Sequence, residues 1–416
     1  MIYRAQLARA EVLLADLLAA PGPADAVVSR YFRAHRNLGQ QDRAFVAETV
    51  YSVLRRRRSL EAAAGSAAPR DLAIASLARI RGLSGRALED VLREGEQTLV
   101  ARVRAARSET FPAAVRADLP DWLWGRLSAL HGDDEAMRIA QGLLNPAPLD
   151  LRVNLAKLDR DTALARLRAA GIEAAPTPHS PAGLRLSGKP ALHRNELFLQ
   201  GAVEVQDEGS QLLAYLLAPR RGEMIADYCA GAGGKTLALA MMMRGTGRIY
   251  AMDVSARRLA ELAPRAARAG VTNVHPLVLS GAGDARARRL AGKLDRVLVD
   301  APCSGFGTLR RNPDLKWRHG PEAIVELAAK QAAILEAASR LVKPGGRLVY
   351  ATCSILPEEN ESVADAFAAA HPEFTPASCA ELLATQRIEL DCGERLRLWP
   401  HRHGCDGFFA AAFQRQ

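Results

Sequence analysis

Two cysteines fifty residues apart occupy matching positions in this chain. One lies in Pro302-Cys303-Ser304, the other in Thr352-Cys353-Ser354. Each follows a short apolar, β-rich run, residues 296–301 before the first and 347–351 before the second. Upstream, Cys229-Ala230-Gly231-Ala232-Gly233-Gly234-Lys235-Thr236 forms a glycine-rich turn after another such run. A lone buried cysteine usually behaves as a small hydrophobe, and Cys379, Cys392 and Cys405 are read that way. Cys303 and Cys353 differ, because they sit at strand ends among small polar neighbours, where cations or backbone dipoles can activate a thiolate. Two such thiols beside a nucleotide-type loop suggest covalent chemistry on an electrophilic ring, fed by a bound cofactor.

One acceptor needs a thiol and makes use of a second. Carbon 5 of cytosine is too poor a nucleophile to take a methyl group from S-adenosylmethionine. A thiolate added to carbon 6 makes the ring enamine-like, so that carbon 5 can attack. The carbon 5 proton must then leave and the thiolate be expelled. One cysteine adds and the other can assist release, while a carboxyl group near ring nitrogen 3 helps the addition; Asp300 stands beside Pro302-Cys303 for that role.

The loop is tested against its rivals by spacing. A P-loop needs glycine where Cys229 stands, and a dinucleotide loop needs its third glycine where Thr236 stands, so both fail. The glycines still allow a tight turn and close approach to a ligand, and the N–H groups of the following helix suit a carboxylate or phosphate. Asp253 ends the next strand, twenty residues after Gly233, where an acid accepts ribose hydroxyls; its alternative is to cap the helix from Ser255. Asp284 follows the third strand and could accept from an adenine amino group or be an ordinary loop carboxylate. The six cysteines contain no Cys-x-x-Cys pair, so no metal site or disulfide framework is indicated.

These residues need elements to hold them. Residues 1–145 read as helical, with segments to about residue 19, at 24–35, from 42 to 54, and at 70–81, 84–94, 121–131 and 133–144. Pro21-Gly22-Pro23 ends the first, and nothing in the region reads as a strand. Asn145-Pro146-Ala147-Pro148 marks a boundary. Beyond it residues 149–154 alternate like a strand, 161–170 read as a helix closed by Gly171, and 183–186 as a further strand. From about 206, strands at 224–228, 248–253, 274–279, 295–300 and 346–351 alternate with helices, notably 255–269 and 321–342. That pattern predicts a parallel sheet covered by helices, with ligands beyond the carboxyl ends of its strands.

Composition sets the partner. A chain of 416 residues is expected to hold two or three domains. The formal charge of +10 favours a polyanion such as RNA. Residues 1–60 hold ten Arg against five acids, including the run Arg55-Arg56-Arg57-Arg58. That run reads first as a solvated helix end, though its charge suits phosphate contacts. No apolar run approaches a membrane span, and Glu11 and Asp16 interrupt the first apolar stretch, which argues against a signal peptide. A reducing cytoplasm is expected.

Asp300-Ala301-Pro302-Cys303-Ser304-Gly305 and Tyr350-Ala351-Thr352-Cys353-Ser354 resemble the two cysteine motifs of RNA cytosine-5 methyltransferases, the bacterial RsmB/Sun and eukaryotic NOL/NSUN group. Gly233–Thr236, Arg310–Trp317 and Pro357-Glu358-Glu359-Asn360-Glu361 extend the resemblance, which covers roughly 203–416. It implies Cys353 as nucleophile and Cys303 as the thiol that aids product release. DNA cytosine-5 methyltransferases instead use the Pro-Cys thiol. It also implies cofactor contacts from Cys229, Ala230, Gly231, Ala232, Gly233, Gly234 and Lys235, and from Asp253, Asp284 and Asp300. The family loop more often reads Ala-Pro-Gly-Gly-Lys, so Gly231-Ala232 is a departure that removes no donor needed for binding. Leu38–Phe45 resembles the NusB-like RNA-binding domain of RsmB-type enzymes. The expected fold class is therefore α/β: a Rossmann-like class I S-adenosylmethionine-dependent methyltransferase domain (206–416), a small α/β RRM-like module (145–205) and an all-α NusB-like domain (1–144). The expected substrate is 16S ribosomal RNA, with transfer RNA next. A non-catalytic ribosome-assembly factor and a small-molecule methyltransferase are the rivals. The sequence does not fix the oligomeric state, a monomer being expected.

Overall fold

The computed structural model describes residues 3–19 and 22–416, so Pro21 lies outside the described residues. The chain forms two compact units, one of Met1–Pro146 with Thr308–Pro321, the other of Ala147–Gly307 with Glu322–Gln416.

The first unit is helical, with no strand among its described residues. Its main helices are Arg4–Ala19, Ala24–Ala34, Gln40–Arg55, Arg57–Ala64, Pro69–Ala75, Glu96–Ala105, Asp121–His131 and Asp133–Leu144. The expected 70–81 helix loosens into a π turn at Ser76–Ile80, and the expected 84–94 helix is only the short pieces Gly85–Leu88 and Glu89–Val91. Helix Glu96–Ala105 was not foreseen; it buries Leu99, Val100 and Val103. Leu7, Leu14, Val46, Val50, Leu60 and Leu72 meet in one core, which is what their helical spacing requires. Leu38–Phe45 builds the turn into Gln40–Arg55, where Arg43 donates to the Leu38 carbonyl at 2.9 Å and Gln6 to Asp42 at 2.8 Å.

The arginine run is largely structural. Arg55 donates to the Arg310 carbonyl at 3.1 Å, Arg57 pairs with Glu61 at 2.7 Å, and Arg58 pairs with Asp121 at 2.7 Å. Segment Thr308–Pro321 belongs to this unit through matching bonds. Trp317 Nε1 donates to the Leu54 carbonyl at 2.9 Å and Lys316 Nζ to that of Arg55 at 2.7 Å. The Ala24 N–H donates to Asp314 at 3.1 Å. Burial pushes the Lys316 ammonium down to about 7 despite the charge of Asp118.

In the second unit the small module pairs strands β1 (Leu149–Val153), β2 (Ala174–Pro176), β3 (Gly183–Leu186) and β4 (Val203–Val205) in the order β2-β3-β1-β4, antiparallel throughout, with helix Arg160–Ala169 against them. β2 and β4, three residues each, are too short to show a period. The alternation of β1 is real, but its polar side is not wet. Asp150 is bound by Arg185 at 2.7 Å, and Arg152 donates to Gln206 and, at 2.8 Å, to the Gly234 carbonyl.

The large sheet holds β5 (Met224–Asp227), β6 (Arg248–Asp253), β7 (Val274–Val278), β8 (Leu294–Asp300), β9 (Val342–Thr352), β10 (Phe374–Ala377), β11 (Leu396–Leu398) and β12 (Phe408–Arg415). The order is β10-β12-β9-β8-β5-β6-β7, with β11 on β12. β5 to β9 are parallel, at the positions predicted. Beyond the strands expected from the sequence, the sheet is mixed: β12 runs antiparallel to β9 and β10. No helix-length crossover precedes β12, and its Phe-Phe-Ala-Ala-Ala-Phe run is buried on both faces, so it shows no alternation to read. Successive strand residues serve opposite cores, Leu298 and Val349 on one face, Val297, Val299 and Tyr350 on the other.

Candidate active site

From β5 the chain moves outward through β6 and β7, then returns to the other side of β5 with β8 and β9. A parallel sheet opens a crevice at such a reversal, beyond its carboxyl ends. Asp227, Asp253 and Asp300 end β5, β6 and β8, and Thr352 ends β9 next to Cys353.

The glycine loop crosses this point. Gly231 and Gly233 take φ of 54° and 84°, and a Cβ on Gly233 would stand 2.2 Å from Leu262 Cδ1. Only glycine fits there. The loop turns through a bond from the Gly233 N–H to the Ala230 carbonyl at 2.8 Å and opens helix Gly234–Met243. Arg265 donates to the Ala232 carbonyl at 2.6 Å, and Arg152 clamps Gly234 as described. Asp253 accepts from the N–H groups of Gly231 at 2.8 Å and Ser255 at 2.7 Å. The cap of the following helix is the Ser255 hydroxyl, which accepts from the Arg258 N–H at 3.3 Å, so Asp253 is not the cap. Asp284 is committed locally. Ser280 and both arms of Arg286 bond its oxygens, Arg286 Nη2 at 2.7 Å, and these bonds hold its carboxyl well below the usual range.

Lys235 Nζ lies 2.6 Å from Asp300 Oδ2. Burial works against this ammonium, but Asp300 and Asp227 outweigh it and its pKa is raised. Lys235 therefore stays charged, and Cys353 is among the groups its charge acts on. Asp227, fully buried, was not singled out in the sequence. It accepts from the Thr236 hydroxyl at 2.7 Å, its Oδ1 has no partner, and burial raises it to about 6. Burial, then the neighbouring acids, pushes the Cys229 thiol well above its ordinary value.

The tertiary fold brings Cys303 and Cys353 together, Sγ to Sγ 3.3 Å apart. The bond with Cys353, then burial, raises Cys303 well above an ordinary thiol. The two loops are tied by bonds from the Ala301 N–H to the Ala351 carbonyl and from the Gly307 N–H to the Cys353 carbonyl, each 2.8 Å. Behind them sits Glu359, fully buried. Its Oε2 accepts from the hydroxyls of both Ser304 and Ser354, and its Oε1 from the Ser304 N–H at 2.8 Å and Gln331 at 3.0 Å. Glu359, Gln331 and the two serines were not predicted as site residues. The repeated Cys-Ser dipeptide was the available signal, since each serine carries its cysteine's loop to one carboxylate.

A parallel sheet that reverses beside a three-glycine turn, with an antiparallel strand added at its edge, is the class I methyltransferase fold. The comparisons agree. A family model described as 16S rRNA methyltransferase RsmB/F matches residues 214–414. A second, described as the RsmF/B-like ferredoxin-like domain, matches residues 119–193 and so begins ahead of the boundary expected near 145. A protein of Synechocystis sp. described as a probable ribosomal RNA small subunit methyltransferase B is 31% identical over 453 residues, covering 100% of both chains. The counterpart in Bacillus subtilis is 33% identical over 349 residues, covering 82% of this chain and 76% of its own. The crystal structure of PH0851 superposes with a TM-score of 0.78 at 26% identity, covering 100% of this chain and 99% of that one. A methyltransferase homolog from Pyrococcus horikoshii gives 0.63 at 31% identity, covering 73% of this chain and 98% of that one. The chain belongs to the RsmB/F family of ribosomal RNA small subunit methyltransferases, the group its motifs resemble. Its cofactor is S-adenosylmethionine.

Proposed function

We propose that this protein methylates carbon 5 of a cytosine in 16S ribosomal RNA through a bond between Cys353 Sγ and carbon 6 of the base. The observation that carries the reading is the pair of thiols 3.3 Å apart at neighbouring strand ends. Cofactor would be held by the 229–235 loop, Asp253 and Asp300, with Asp227 Oδ1 as a further buried acceptor; bound there, it supplies the methyl group. Asp284 joins this set only by giving up part of its bonding to Arg286.

The Cys353 thiolate adds to carbon 6. Asp300 Oδ2 is engaged by Lys235, which leaves Oδ1 to accept from the amino group beside nitrogen 3 of the base. After carbon 5 gains the methyl group, its proton passes to a water molecule as base, the carbon 5–hydrogen electron pair becomes the ring double bond, and the carbon 6–sulfur pair leaves with Cys353. Cys303, kept as a thiol by its raised pKa, assists that release. The helical region 1–144 and the module 145–205 would hold the RNA, and 206–416 would carry out the chemistry in a cytoplasmic monomer. Among the described residues no helix is long and apolar enough to cross a membrane.

Substitution separates the cysteines. Cys353→Ala should reduce methylation below detection. Cys303→Ala should accumulate a cofactor-dependent protein–RNA complex that survives denaturing electrophoresis, and the double variant should show none. A complex trapped by Cys353→Ala would reverse the roles. Full methylation by both single variants would overturn the covalent mechanism.

A further inference from the structure

The helical unit contains a cleft of about 270 Å³ that the chemistry above does not use. Arg56 and Arg116 line it with Arg79, Ser59, Ser108 and Phe111. Arg56 stands at the break between helices Gln40–Arg55 and Arg57–Ala64, with φ −122° and ψ 34°, so it leaves the helical path that its three neighbours follow. Those neighbours spend their guanidinium groups on protein acceptors. The Arg56 guanidinium is half-buried and that of Arg116 is exposed at the mouth of the cleft, and neither has a hydrogen-bond or ion-pair partner among the described residues. Arg56, partly withdrawn from water, has lost hydration without a hydrogen-bonding acceptor to replace it.

The rest of the cleft is already committed. Arg79 donates to the carbonyls of Val103 at 2.9 Å and Ala106 at 2.8 Å and to the Ser108 hydroxyl at 2.7 Å, and its guanidinium lies 6.0 Å from the Phe111 ring. It forms a wall. Two acids also line the cleft. Asp118 is buried, with its oxygens taken by the Ser59 N–H at 2.9 Å and hydroxyl at 2.7 Å, and it lies within the influence of the Lys316 charge and, more weakly, that of Arg56. Glu109 is exposed.

We infer that this cleft is a phosphate-binding subsite, in which Arg56 and Arg116 grip a backbone phosphate of the RNA substrate away from the methylated base. This rests on RNA being the substrate. A guanidinium fork matches the paired oxygens of a phosphate, and the +10 chain supplies the long-range attraction. Within the arginine run, the phosphate contact falls to Arg56 alone.

The test uses the full chain and a transcript of small-subunit ribosomal RNA, with binding followed by fluorescence anisotropy from low to high salt. The Arg56→Ala/Arg116→Ala variant should lose roughly tenfold in affinity. Its log K against log salt slope should flatten by about 0.7 or more, with cofactor affinity unchanged by calorimetry. Arg57→Ala/Arg58→Ala should keep the wild-type slope. The Arg56→Gln/Arg116→Gln pair gives the same reading if the alanine pair does not fold. A wild-type protein whose RNA binding ignored salt would fail the substrate reading. A steep wild-type slope unchanged in both cleft variants would overturn the subsite, as would cleft variants that lost binding to poly-glutamate but kept RNA.

Discussion

At the scale of residues, the site depends on carboxylates that sequence position alone makes ordinary. Glu359 holds both cysteine loops from behind, so its charge sets the spacing of the thiols rather than touching them. Glu359→Gln keeps the shape but faces an amide N–H₂ with donor hydroxyls. Single-turnover methylation should slow by about 1–3 kcal/mol of barrier, the range for hydrogen bonds to a charged group. Cofactor affinity should hold, and an equal loss there would make Glu359 a general support of the fold. Asp227 makes a prediction about pH. Burial raises it to about 6, above its value in the unfolded chain. Between about pH 4 and 6 the folded state therefore binds more protons than the unfolded state, and stability falls as pH rises through that window. Asp227→Asn removes this dependence. By urea unfolding the variant should gain about 1–3 kcal/mol on the wild type between pH 4 and pH 7. A difference that stayed constant with pH would mean that the buried carboxylate is stabilised by a group other than Thr236.

At the scale of elements, segment Thr308–Pro321 follows the Cys303 loop in sequence yet folds with the helical unit. It has little secondary structure beyond Leu315–Arg318. Its hold comes from side chains reaching helix-end carbonyls at Leu54 and Arg55, where the last turn of Gln40–Arg55 leaves acceptors open. The Arg57 guanidinium lies 5.8 Å from the Trp317 ring and adds to that hold. Trp317→Ala removes the ring and the Nε1 donor together. Limited proteolysis should then cut within 308–321 at least ten times faster than in the wild type, in line with about 1–3 kcal/mol lost for a partly buried donor and ring. Cutting at the wild-type rate would show that Lys316 and Asp314 hold the segment without it.

At the scale of the whole molecule, charge and chemistry are kept apart. The chain carries +10, while the sheet reversal gathers Asp300 and Asp227 around one ammonium. RNA affinity should therefore fall steeply with salt, with a log–log slope of several units, since each phosphate contact adds about 0.7–0.9. Cofactor affinity should change little over the same range, because its contacts are buried and screened less. Comparing the two titrations on one preparation checks this. A flat RNA slope would mean that the excess arginine serves folding alone.

The sequence by itself determined the parallel strands β5 to β9, the glycine loop, the two cysteine motifs and the helical character of residues 1–145. These depend on local period and on residue types that few backbone geometries accept, as with Gly233 against Leu262. It did not show β12, because a strand buried on both faces carries no alternation. It did not show the buried polar side of β1, because Asp150 and Arg152 find their partners at Arg185, Gln206 and Gly234, far along the chain. Only the tertiary structure decided that Arg55, Arg57 and Arg58 serve the protein while Arg56 faces a cleft. Only it set Cys303 against Cys353 with Glu359 behind both. A charge run or a cysteine pair looks the same in sequence whether its partners are water or protein, and those partners are chosen when distant strands and helices close on one another.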